Sequence, residues 1–115
     1  MFGSQCVIGA HWQIWNQLTS GWVDTATNCT LTAASWHTIQ WITHRIVGDT
    51  SCASSHACMY YDQLTIDGVS TGPYTAQPSN TSADADNVGF QFQIDINNTG
   101  GAVTESLDKL SLLVR

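Results

Sequence analysis

Basic side chains are nearly missing from this 115-residue chain: Arg45, Lys109 and Arg115 stand against nine acidic residues, for a net charge of −6. Without a basic patch there is nothing to neutralise phosphates, which argues against a nucleic-acid partner and against anionic membrane surfaces. Charge of either sign is scarce, at 10% of residues against the roughly 25% usual in soluble proteins. No apolar run comes near the ~20 residues that a membrane-spanning helix needs, so membrane insertion is not expected. No stretch keeps a helical period. Met1-Phe2-Gly3-Ser4 offers neither a basic n-region nor an apolar h-region, so no signal peptide is read there.

What is present is Thr, Ser, Asn, Gln and aromatic residues in alternating runs, the composition of an extracellular β protein. The length predicts a single domain, 1–115, with one modest core. The four cysteines, Cys6, Cys29, Cys52 and Cys58, are an even number in an acidic, Thr/Asn-rich chain and predict two disulfides in an oxidising compartment, hence a secreted protein. Three pairings are possible. Cys52–Cys58 closes only a short loop and is favoured, which leaves Cys6–Cys29 as a staple between neighbouring strands. The spacings do not suit a zinc site. Asn28-Cys29-Thr30, Asn80-Thr81-Ser82 and Asn97-Asn98-Thr99 are glycosylation sequons, relevant in a eukaryotic secretory host.

Period two runs through most of the chain. Gln5 to Gln17 reads as one strand, with Cys6, Ile8, Ala10, Trp12 and Ile14 on one face and His11, Gln13 and Trp15 on the other. Trp22 to Asp24 begins a partner strand that ends at Cys29 to Leu31. Ser35 to Val47 is the longest candidate, and neither of its registers is apolar enough to identify the buried face. Met59 to Asp67 follows, and Asp67-Gly68 predicts a tight hairpin turn. Val69 to Ala76 completes that hairpin, limited by Gly72-Pro73. After a polar loop from Gln77 to Asn87, Val88 to Asn97 alternates cleanly, and Val103 to Val114 forms a last strand with a bulge near Asp108-Lys109. Trp12, Trp36 and Trp41 are expected in the core, Trp15 and Trp22 nearer the surface.

The order Trp36-His37, a loop, then Tyr61-Asp62-Gln63-Leu64-Thr65-Ile66-Asp67-Gly68 resembles the middle of concanavalin A-like jelly rolls, the superfamily of legume-type lectins, laminin G-like domains and laminarinase-type glycoside hydrolases. FQFQIDI, a glycine turn and ESLDKLSLLV resemble the closing hairpin. The resemblance implies an all-β, antiparallel β-sandwich. It also implies an N-terminally incomplete one, because the first strands of such domains have no counterpart here. Uncovered sheet edges of that kind predict a homo-oligomer or a covering partner. Gln93-Ile94-Asp95-Ile96-Asn97 is similar in pattern to the Glu-x-Asp-x-Glu strand of hydrolases of this type, which place it further from the C-terminus. Its outer positions are amides, so a retaining mechanism lacks both its carboxylates.

Two polar registers are the candidate binding surface: His11, Gln13 and Trp15 on the first strand, and Gln91, Gln93 and Asp95 on the later one. Amides answer sugar hydroxyls as donor and acceptor, and an indole offers an apolar platform to the C–H face of a ring. The leading expectation is non-catalytic binding of a polysaccharide or cell-surface glycan. A structural, self-assembling module and a degenerate or active glycoside hydrolase are the alternatives. No cofactor is expected, although Asp84 and Asp86 make an oxygen-rich loop of the kind that holds calcium.

Overall fold

The computed structural model describes residues 2–32, 34–52, 57–79, 107–111 and 113. The chain divides into two units, Met1–Ala85 and Asp86–Arg115. In the second unit the described residues of the expected Val103 to Val114 strand are not in a strand. Their leucines, Leu107, Leu110 and Leu113, are 55%, 50% and 73% exposed and so lack the burial that would favour one. Gln91, Gln93, Asp95, Asp84 and Asp86 lie outside the described residues, as does the rest of the Val88 to Asn97 register.

The first unit is all-β among its described residues. Strands β1 (Ser4–Cys6), β2 (His11–Asn16) and β3 (Gly21–Asn28) form one antiparallel sheet in the order β1-β2-β3. The single strand expected from Gln5 to Gln17 is instead a hairpin. Gly9 takes a φ of 79°, a region open to glycine at little cost, and Ala10 N–H donates to the Val7 carbonyl at 2.9 Å. Within β2 the alternation holds. Trp12 and Ile14 turn inward, 4% and 2% exposed, while His11, Gln13 and Trp15 sit on the opposite register.

Strand β3 leaves regular pairing between Asp24, opposite Gln13, and Asn28, opposite His11. The Thr25 hydroxyl secures this bulge by donating to the Trp12 carbonyl at 2.7 Å and accepting from Thr27 N–H at 3.2 Å.

The second sheet contains β4 (Ile39–Val47), β5 (Ala57–Ile66), β6 (Val69–Thr71) and β7 (Gln77–Ser79). Strand β5 is central. It pairs with β4 along one edge and with β6 and β7 in turn along the other, all antiparallel. The β5–β6 turn is the expected Asp67-Gly68 pair, with φ of 50° and 84°, both positive as a type I′ turn requires. Between β6 and β7 the chain leaves the ladder at Gly72-Pro73, yet Tyr74 N–H still reaches the Tyr61 carbonyl at 3.0 Å. Gly72 is needed there: its φ is 117°, and a Cβ would stand 2.6 Å from the Asp62 carbonyl oxygen.

Asp62 is an extra residue in β5, since Ile42 faces Gln63 and Thr43 faces Tyr61. The bulge resets the phase, so Met59, Tyr61 and Leu64 are all buried although their numbering breaks period two.

The two sheets pack through these faces, an arrangement consistent with a β-sandwich. Trp12, Cys29 and Leu64 form one cluster with Cys6, Trp41 and Ile66 around it; Ile14, Met59 and Tyr61 form a second that shares Trp41 and Tyr74. Trp41 of β4 meets Trp12 of the opposite sheet, Tyr61 and Tyr74, with ring centroids 6.3, 5.6 and 5.5 Å away. Each fully buried side chain of this size contributes about 1.5–3 kcal/mol by leaving water. Trp36, expected in the core, is 72% exposed, because it precedes β4 and has no place in the inward register.

Both disulfides are present as expected, Cys6–Cys29 and Cys52–Cys58. Cys6 and Cys29 do not join neighbouring strands: they tie β1 to the end of β3 around β2, against Trp12.

Candidate functional site

On the outer face of the first sheet, strand register places Gln5 opposite Gln13 and Gln13 opposite Asp24. Directly opposed side chains are close enough to interact. Here they link in one direction, the Gln5 amide donating to the Gln13 carbonyl oxygen and the Gln13 amide donating to Asp24 Oδ1 at 2.6 Å. The row leaves one Asp24 oxygen, the Gln5 carbonyl and an N–H on each amide for other partners.

Next to it, Trp15 and Trp22 are opposite one another and meet edge to face, 5.1 Å apart at 73°. Gly3 makes room for Trp15, since a Cβ there would lie 3.1 Å from the Trp15 Cβ. Trp22 is left 42% exposed. His11 closes the row opposite Asn28, and its Nδ1 is buried without a hydrogen-bond partner among the described residues.

The sequence-predicted His11, Gln13 and Trp15 thus share a face, and the structure adds Gln5, Trp22 and Asp24 to it. The added residues are cross-strand neighbours, which no spacing along the chain reveals. Trp15 is half-buried, so the accessible indole is that of Trp22.

The outer face of the second sheet has different chemistry. His44 Nδ1 meets Asp62 Oδ2 at 2.6 Å, and the imidazole stacks on Tyr60 with centroids 4.5 Å apart and planes at 1°. The Tyr60 hydroxyl donates to Asp49. That bond, with help from Ser51 N–H, holds the Asp49 carboxyl below its ordinary range. Gln63, Thr65 and Ser70 bond among themselves at 2.9–3.0 Å. Ile42 and Ile46 are each 45% exposed beside these groups.

A third feature is an open groove of about 470 Å³ between β3 and the β5–β6 hairpin, lined by Ala26, Thr27, Asn28, Ile66, Asp67 and Thr71 among others. Two of the lining residues, Thr27 and Thr71, bond with each other and with Tyr74 through their hydroxyls at 2.6–3.2 Å and join the two sheets.

Beside the groove, His37 Nδ1 lies 2.7 Å from Asp67 Oδ2, and Asp67 Oδ1 accepts Thr38 N–H at 2.8 Å. The hydrogen bond to Asp67 raises the His37 pKa, and the same bond lowers that of Asp67. His37 Nε2 stands 3.1 Å from Thr32 N and 3.3 Å from Thr32 O, so the neutral ring accepts from one and the protonated ring donates to the other.

Neither a protein-family model, nor a curated protein, nor a solved structure matches this chain. Among the described residues no group of three or more His, Cys, Asp or Glu side chains could hold a metal ion. No helix among them is long and apolar enough to cross a membrane.

Proposed function

We propose that this chain is a secreted, carbohydrate-binding β-sandwich of the concanavalin A-like jelly-roll type, with its glycan site on the outer face of the first sheet. The observation that carries the reading is an accessible indole, Trp22, alongside the linked row Gln5, Gln13 and Asp24. The row is fixed by its own bonds and still offers both donors and acceptors, which suits hydroxyl groups that are both at once. The indole supplies the apolar surface on which a sugar's C–H face stacks. Two disulfides are compatible with an oxidising, extracellular setting. A net charge of −6 disfavours an anionic ligand, so the glycan proposed is a neutral one.

Titration of the protein with a panel of neutral polysaccharides, followed by tryptophan fluorescence, tests this. Saturable binding that falls at least tenfold in Trp22→Ala and in Gln13→Ala is the expected result. Absence of binding across the panel, or binding indifferent to both variants, overturns it.

A further inference from the structure

Resting on that reading, we infer that the groove between β3 and the β5–β6 hairpin is a second subsite of the same glycan site, taking the part of an extended neutral oligosaccharide that runs beyond Trp22. Strand β3 carries both regions. Trp22 and Asp24 belong to the outer face of the first sheet, and Ala26, Thr27 and Asn28 line the groove. Asn28 is six positions on from Trp22, at most about 21 Å of extended chain, so one oligosaccharide can touch both.

The bulge in β3 is what builds the subsite. By departing from regular pairing between Asp24 and Asn28, it puts Thr27 among the side chains of the other sheet, where its hydroxyl meets Tyr74 at 2.7 Å and Thr71 at 3.2 Å. Bulges of this kind re-aim side chains next to functional sites. Three mutually bonded hydroxyls cannot use all their lone pairs on each other, since each offers two acceptor positions and one proton.

The rest of the lining fits the same ligand. Asn28 is exposed and brings an amide, and Asp67 brings a carboxylate whose oxygens are already oriented by His37 and Thr38. Ile66 and Ala26 add small apolar surfaces for ring C–H groups. The lining contains a carboxylate and no basic residue, which disfavours sulfated, phosphorylated or uronic glycans and favours a neutral one. About 470 Å³ lies in the ordinary range for a small-molecule site.

The test is a length ladder: neutral gluco-, xylo-, manno- and galacto-oligosaccharides of two to six units, titrated against the full chain and its variants. The wild type is expected to bind the longest member of at least one series ten times or more tightly than the shortest. Asn28→Ala and Thr71→Val are expected to erase that gain and leave the shortest member's affinity unchanged, whereas Trp22→Ala weakens every length. Asn28 is exposed, so its variant stays informative should Thr71→Val fail to fold. Binding of short members with no gain from length, or a gain that survives in Asn28→Ala, overturns the groove and leaves the sheet-face reading standing. No binding of any member or of the parent polysaccharides overturns both.

Discussion

The two sheets turn inward with similar chemistry and outward with opposite habits. On the first sheet, side chains bond in an open series, Gln5 to Gln13 to Asp24, and the series ends on a carboxylate with an oxygen to spare. On the second, they close on each other: His44 on Asp62, Tyr60 on Asp49, and Gln63, Thr65 and Ser70 in a triangle. In the open series Gln5 and Gln13 each keep an N–H for a guest, whereas Gln63 gives both of its own to Thr65 and Ser70. The first face also has a tryptophan, Trp22, beside its row, whereas the tryptophan among the described strand residues of the second sheet, Trp41, packs into the core. That difference, rather than the amount of polar surface, favours the first sheet as the place of the proposed glycan site.

The largest effect tests what the sheets share. Leu64, fully buried between them, should cost about 3 kcal/mol when changed to Ala, read by urea unfolding. The glycan affinity of the folded fraction should stay as it was; a loss of affinity equal to that of Trp22→Ala would mean that the outer face is not independent of the core. Close behind come the disulfides. Their sequence separations are 23 for Cys6–Cys29 and 6 for Cys52–Cys58, so loop-closure entropy predicts losses of about 3 and about 2 kcal/mol for the paired Cys→Ser variants. A reversed order in denaturant midpoints would show that the first sheet relies less on its staple than the second on its loop.

Next is the contrast between the outer faces themselves. Trp22→Ala should lower glycan affinity at least tenfold and stability by about 1 kcal/mol, the scale of an aromatic pair. His44→Ala should leave affinity unchanged. Equal losses from both would erase the distinction between the two outer faces.

The smallest effect concerns pH, at the His37–Asp67 contact beside the groove. The His37 pKa is raised above 6.5, so its share of stability is complete below about pH 6.5 and fades as pH climbs through the raised value. The Asp67 pKa is lowered below 3.8, so its share is complete above about pH 4 and fades as pH falls through the lowered value. The contact should therefore favour folding most between about pH 4 and 6.5. An NMR titration should find His37 above its ordinary value and bring it back down in Asp67→Asn; an unchanged His37 titration in that variant would remove Asp67 as the cause.

Much of the strand content of the first unit was legible from alternation, because one face of a strand in a two-layer protein must be apolar. Trp12 and Ile14 against His11, Gln13 and Trp15 is the clear case, and Asp67-Gly68 identified its turn by the φ it tolerates. What alternation hides is a change of phase. The Asp62 bulge moves Leu64 onto the same face as Tyr61, and no local signal distinguishes that from an unbroken strand. In β4 the inward register carries Thr43 and Arg45 beside Trp41, so it never looked apolar. The hairpin at Gly9 is masked in the sequence, since the apolar residues on either side of it keep an apparent period of two. The site was half legible for a related reason. Residues two apart in one strand can be read from the chain, but Trp22 and Asp24 join Trp15 and Gln13 only through pairing between strands.

Gly72 offers a way to recognise kin. A side chain at that point would collide with the Asp62 carbonyl and would also have to adopt a φ of 117°. Any descendant of this sequence that retains the extra residue in its central strand should therefore retain a bare Cα ten positions later. Paired occurrence of the two, more than overall identity, is the mark to look for in divergent genomes.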